Sequence, residues 1–195
     1  IVERTASAVR VPVTVKFRKG WDAAHENAVE FARVCEQSGA KLLTVHGRTR
    51  AQLYSGRADR ACMAAVKNAV KIPVLANGDV ADGKSALETL RETGCDGVTV
   101  GRAALGDPFL FEEIRCALEG KPYFPPTAEE RRAMELRHAR MALAEKGPHA
   151  IVELRKHLAF YVRGVPDAAK LRTRLNACNT LEELEDILAR DSRAE

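Results

Sequence analysis

A chain of 195 residues, 46% hydrophobic and 30% charged, has the makeup of ordinary globular protein, which excludes a disordered or fibrous chain and leaves one or two packed domains. No apolar stretch approaches the roughly 18–20 residues that cross a bilayer and no signal peptide opens the chain, so a membrane protein is not expected. The net charge of +4 is mild but uneven: Arg131 to Arg174 holds eleven Lys/Arg against four Asp/Glu, a surplus of +7 that invites a polyanionic partner.

The chain opens inside a helical pattern, IVERTASAVR, and starts with Ile1 rather than Met, as a piece of a longer protein would. VTVKF (13–17) then reads as a buried strand. An amphipathic helix is predicted from about Ala23 to Ser38, with Ala28, Phe31, Ala32 and Cys35 at helical spacing and Gly39 as its stop. LLTVH (42–46) is the next strand. It leads through a polar loop with Tyr54, Ser55 and Gly56 to a helix from about Asp59 to Ala69. VLAN (74–77) precedes a helix from about Gly83 to Thr93, ended by Gly94. GVTV (97–100) precedes one from about Phe109 to Leu118. Strands without polar alternation, separated by helices of ten or more residues, predict four β-α units with parallel strands covered on both faces.

From Gly120 the texture changes. KPYFPPT (121–127) carries three prolines and reads as a linker, and Thr127 with Glu130 is a capping-box start. Four helices are predicted, at roughly 128–145, 149–163, 167–177 and 181–190. The expected organisation is therefore an α/β domain over 1–120 and an all-α domain over 121–195, the second carrying the basic surplus.

Each strand ends in a polar group: Lys16 with Arg18, His46 with Arg48, Asn77-Gly78-Asp79, and Gly101-Arg102. In a (β/α)8 barrel, functional groups sit at the C-terminal ends of the strands, and a phosphate commonly binds the loops after strands 7 and 8. Gly78 and Gly101 let backbone approach an anion, and Arg102 can fork onto phosphate oxygens. If these two loops follow the last two strands, the four strands are 5–8 of a barrel. Taken singly, each group is as well read as a loop or turn residue; four at equivalent positions point to a site.

VPVTVKFRKGW, LLTVHGRTRAQLYSGRAD, IPVLANGDV and DGVTVGRAALGDPFLF together resemble the tRNA-dihydrouridine synthases, specifically the bacterial B-type branch. KHLAFYVRGVPDA extends the resemblance into the helical domain. It implies the C-terminal half of a TIM barrel that holds FMN, is reduced by NADPH, and passes a hydride to C6 of a flipped-out uracil in tRNA while a cysteine protonates C5. It implies Lys16 at the flavin's pyrimidine end and His46 beside the isoalloxazine. Asn77, Gly78 and Asp79 would line the ribityl and phosphate side, and Gly101 with Arg102 would hold the phosphate. Arg48 and Arg50 would lie at the rim near RNA. Arg131, Arg132, Arg155, Lys156 and Arg163 would serve tRNA phosphates from the helical domain, together with Arg137 and Arg140 on the same helix. His157 and Tyr161 share a face and suit either RNA stacking or a core.

The resemblance also sets limits. A complete barrel has eight strands over about 250 residues, and only four units are present. Cys35, Cys62, Cys95, Cys116 and Cys178 are odd in number, without a CxxC pair, and fall in helices or turns. They read as reduced thiols of a cytoplasmic protein rather than as a disulfide frame or metal site. The proton-donor cysteine is therefore expected upstream of Ile1. A half barrel would also expose strand edges and an apolar interior layer, so the bare chain is expected to self-associate or to be part of a longer one. Two other readings remain open here: an FMN barrel of dihydroorotate dehydrogenase type, which predicts no basic appendix, and a non-catalytic tRNA-binding remnant.

Overall fold

The computed structural model describes residues 1–190; the last five residues of the predicted 121–195 domain lie outside them. The chain divides into two compact units. The first comprises Ile1–Arg102 with Ile114–Lys121, and the second Ala103–Glu113 with the chain from Pro122 onward. The segment Ala103–Glu113 thus packs with the helical unit, although it precedes the proline-rich linker. The reason is local: Gly106, at φ +74°, lies against the backbone of Phe160 and Tyr161, where a Cβ has no room.

In the first unit, α1 (Val2–Ala8) precedes four strands: β1 (Thr14–Arg18), β2 (Leu42–His46), β3 (Val74–Asn77) and β4 (Gly97–Thr99). They form one parallel sheet in the order β1-β2-β3-β4. Three helices alternate with them: α2 (Ala28–Gln37), α3 (Arg60–Ala69) and α4 (Gly83–Thr93). A short 3-10 turn, Arg102–Ala104, and α5 (Leu110–Leu118) follow β4. Sequential strand order with right-handed crossovers places successive helices on the same side of a sheet, as in consecutive units of a barrel. Val15, Phe17, Leu43, Val45, Val74 and Ala76 face that helix layer and form the core with Ala32, Cys35, Met63 and Val66.

The opposite face corrects two expectations. Among the described residues of this unit no second helix layer packs on it, since α2, α3 and α4 all pack on the first face. Nor is it an apolar layer. Alternation along the strands gives it Thr14, Lys16 and Arg18, then Leu42, Thr44 and His46, then Leu75 and Asn77, then Thr99. Only two of these are large and apolar.

α2 begins five residues later than predicted. The Asp22 carboxylate accepts from the Ala24 and His25 N–H groups (2.9 and 3.0 Å), and Gly20 bridges to Glu26. A local turn therefore takes the donors a helix would need. The stops at Gly39 and Gly94, both at positive φ, stand where the sequence placed them, and Asp59, the predicted start of α3, is its N-cap.

The second unit packs α6 (Ala128–Lys146), α7 (Ala150–Tyr161), α8 (Ala168–Ala177) and α9 (Leu181–Ala189) around Ala139, Ile151, Leu154, Leu158, Leu171, Leu175, Leu184 and Leu188. The capping box at its start is formed in both directions: Glu130 N–H donates to Thr127 Oγ1 at 3.2 Å, and Thr127 N–H to the Glu130 carboxylate at 2.7 Å. No helix among the described residues is long and apolar enough to cross a membrane.

Candidate functional site

The parallel register assembles the strand-end residues into rows on the open face. Lys16 pairs with Thr44, which pairs with Leu75. One step nearer the C-terminal ends, Arg18, His46, Asn77 and Thr99 lie side by side across all four strands. Lys16, His46 and Asn77 therefore lie on one face of the sheet, in adjacent rows. Arg18 joins them. It stands with Lys16 among the polar strand ends of the sequence, and the two-residue period of a strand puts both on one face.

The row has defined electrostatics. The His46 ring is buried, and its imidazole pKa is pushed down to about 4, first by burial and then by the positive charges of Arg18, Lys16 and Arg48. At neutral pH it is an uncharged ring with one N–H and one acceptor nitrogen, set in a positive field. Asn77 donates from Nδ2 to the Thr99 carbonyl at 2.8 Å, which fixes the orientation of its amide. Gly78 follows at φ +130°. A Cβ there would lie 2.5 Å from the Ala58 Cβ and 3.3 Å from His46 Cδ2, so only glycine lets the three loops converge.

Arg48 is a correction. The rim placement expected for it fails because the residue is 2% exposed. Its Nε donates to the Ser55 carbonyl (3.0 Å), and its Nη2 donates to the Gly56 carbonyl (2.6 Å) and to Asp79 Oδ1 (2.8 Å). Asp79 Oδ2 also accepts the Ala58 N–H at 2.7 Å. Burial alone would raise the Asp79 carboxyl, but the Ala58 N–H and the Arg48 guanidinium together hold it below its ordinary value. Arg48 and Asp79 thus clamp the β2–α3 loop onto the start of the β3–α4 loop. Neither offers RNA or phosphate a free charged edge, apart from Arg48 Nη1, which is buried without a hydrogen-bond partner. A second clamp was not predicted: Lys19, almost fully buried, pairs with Glu26 at 2.6 Å and Asp59 at 3.2 Å. Arg50 is exposed.

Gly101 opens onto free space, and Arg102 beside it is exposed, with its guanidinium carbon 4.0 Å from the centre of the Tyr54 ring. The N-terminus of α4 is closed by its own cap, since Asp82 accepts from Ser85 N–H at 2.6 Å.

None of the five cysteines lies on a strand. Cys35, Cys95, Cys116 and Cys178 are buried; Cys62, half-buried on α3, has its thiol pushed up to about 11 by burial. Among the described residues no group of three or more His, Cys, Asp or Glu side chains could hold a metal ion.

In the helical unit, Lys156 and Arg163 are exposed and Arg132 is half-buried, whereas others of the predicted RNA set are engaged internally. Arg155 donates to the Cys178 carbonyl (2.7 Å) and Asn179 Oδ1 (2.6 Å), tying α7 to the α8–α9 turn. Arg131 pairs with Asp107 at 3.5 Å, and Arg140 with Glu185 at 2.7 Å. Arg163 lies beyond the end of α7, which stops at Tyr161 rather than 163, and rests over Phe160. Tyr161 is a core residue: it is buried, its hydroxyl meets His138 Nδ1 at 3.2 Å, and burial with nearby Glu135 and Asp107 pushes its pKa up to about 12.

The profile of the family described as dihydrouridine synthase (Dus) matches residues 1–194. Over 189 residues the chain is 45% identical to a protein named probable tRNA-dihydrouridine synthase 1 from Synechocystis sp., covering 96% of this chain and 53% of that protein. It is 42% identical over 179 residues to tRNA-dihydrouridine synthase B of Pseudomonas putida, covering 91% of this chain and 53% of the relative. The crystal structure of a mandelate oxidase aligns over 94% of this chain and 71% of its own at 16% identity, with a TM-score of 0.39. The chain spans about half the length of the curated relatives it matches. With its four parallel strands, their row of polar ends and a following all-helical unit, this chain belongs to the dihydrouridine synthase family.

Proposed function

We propose that the chain forms the C-terminal barrel half and helical domain of an FMN-dependent enzyme that reduces uridine in tRNA to 5,6-dihydrouridine. The observation that carries this reading is the row Arg18–His46–Asn77–Thr99 with Lys16 beneath it, in a member of this family. The donor set suits FMN. Lys16 offers a cation to the pyrimidine end, His46 an uncharged imidazole beside the ring system, and Asn77 and Gly78 a close backbone approach to the ribityl chain. Gly101 and Arg102 offer an open loop and a guanidinium to the phosphate. The chemistry bound FMN supplies is hydride transfer to uracil C6, renewed by NADPH.

This chain's residues do the remaining work. Lys16, Arg18 and buried Arg48 keep the field positive, which favours negative charge gathering at the flavin end. Burial first, and then the same field, keeps His46 uncharged, so its ring holds a single N–H rather than a second mobile proton. Asp79 serves the site through Arg48, by fixing the β2–α3 loop. Each of the five thiols is buried or sits on the helix side of the sheet, so the proton for C5 comes from a cysteine outside these 195 residues. Arg50 on the barrel side and Arg132, Lys156 and Arg163 on the helical unit serve tRNA phosphates. Family membership and the basic helical unit speak against a reductase of free dihydroorotate.

Deletion of the gene tests this reading. Bulk tRNA from the deletion strain loses dihydrouridine at one or more positions, and the intact gene restores it. Unchanged dihydrouridine in the deletion strain contradicts the proposal, and restoration by a gene carrying Lys16→Ala contradicts the role given to Lys16.

A further inference from the structure

The β2–α3 loop is held more firmly than a polar surface loop requires. Arg18 Nη1 donates to the carbonyls of Thr49 (3.0 Å) and Leu53 (3.3 Å), while Arg48 grips Ser55 and Gly56 from the other side. Gln52 and Thr49 exchange two further bonds, Thr49 N–H to Gln52 Oε1 (2.8 Å) and Gln52 N–H to Thr49 Oγ1 (3.2 Å). Within this frame Leu53 adopts φ +51°, a left-handed conformation that a non-glycine residue keeps only when its surroundings impose it. The next residue is Tyr54. It remains 57% exposed, and the Arg102 guanidinium lies 4.0 Å over its ring centre. At that distance the guanidinium lies over the ring face, within cation–π range.

We propose that Tyr54 is a positioning residue: its ring is a fixed pedestal that holds Arg102 for the phosphate monoester of the flavin. The inference rests on reading Arg102 as the phosphate ligand. It explains why buried side chains anchor a loop whose tip is an exposed tyrosine.

Paired affinities for FMN and riboflavin, read by quenching of flavin fluorescence in the protein as its gene encodes it, isolate the phosphate. The intact protein favours FMN, and Arg102→Ala removes the preference. Tyr54→Ala weakens FMN binding by about two- to five-fold, the range of an exposed cation–π contact, and leaves riboflavin binding unchanged. Tyr54→Phe keeps the ring face and the preference. Equal losses for both flavins in Tyr54→Ala would mean that the residue only supports the loop, and an unchanged FMN preference would mean that it supports nothing; either overturns the proposal while leaving Arg102 its role. Absence of any FMN preference in the intact protein removes Arg102 as ligand and the pedestal with it.

Discussion

His46 shows how a residue type visible in the sequence acquires a property that only the fold supplies. Its ring is buried beside three cations, and its pKa is about 4 where a free imidazole has 6.5. The unfolded chain therefore binds a proton at His46 that the folded chain refuses. Stability from this site is fully present above pH 6.5 and is withdrawn as pH falls toward 4, by up to about 3 kcal/mol. An NMR titration of the His46 ring is expected to show no protonation above pH 5; a midpoint near 6.5 contradicts the burial. Arg48 shows the converse. The family resemblance implied a place at the rim, but the partner that takes it inward, Asp79, is 31 residues away. Arg48→Ala strands a half-exposed carboxylate and two carbonyls, and is expected to cost roughly 2–3 kcal/mol in denaturant unfolding. Arg50→Ala, on the surface, is expected to change stability by no more than about 0.5 kcal/mol.

At the scale of elements, the strands were legible almost to the residue. Runs such as LLTVH and VLAN end abruptly in polar groups, and a parallel sheet leaves few alternative registers for them. Helix ends marked by a cap or glycine were legible too, at Asp59, Gly94 and Thr127. The misreadings lie where a side chain competes with the backbone over a short distance, as Asp22 does before α2, or where the chain simply leaves the helix, as at Val162. The attachment of Ala103–Glu113 to the helical unit was not legible at all, because it depends on Gly106 meeting backbone more than fifty residues later in sequence. That contact makes a prediction. Gly106→Ala combines a left-handed φ with a collision against Phe160, and is expected to destabilise the helical unit by more than about 1 kcal/mol in thermal unfolding. A neutral outcome would mean that the segment does not pack there.

For the whole molecule, the open sheet face is the feature that matters. A layer of mostly polar side chains, with Lys16, Arg18 and His46 among them, is what a ligand-bearing mouth requires, and it differs from the apolar plug that half of a closed barrel first suggests. The logarithm of the affinity for tRNA is expected to fall linearly with the logarithm of salt concentration. Lys156→Ala should reduce that slope by about one without altering the identity of the modified uridine. Reduction of uridine is tested by incubating the protein, with any preceding half its gene encodes, with FMN, NADPH and tRNA lacking dihydrouridine, and then weighing the released nucleosides. A uridine is expected to gain the mass of two hydrogens, and not to do so when Lys16 is replaced by alanine. Unmodified uridine throughout, from protein carrying bound FMN that NADPH reduces, contradicts it.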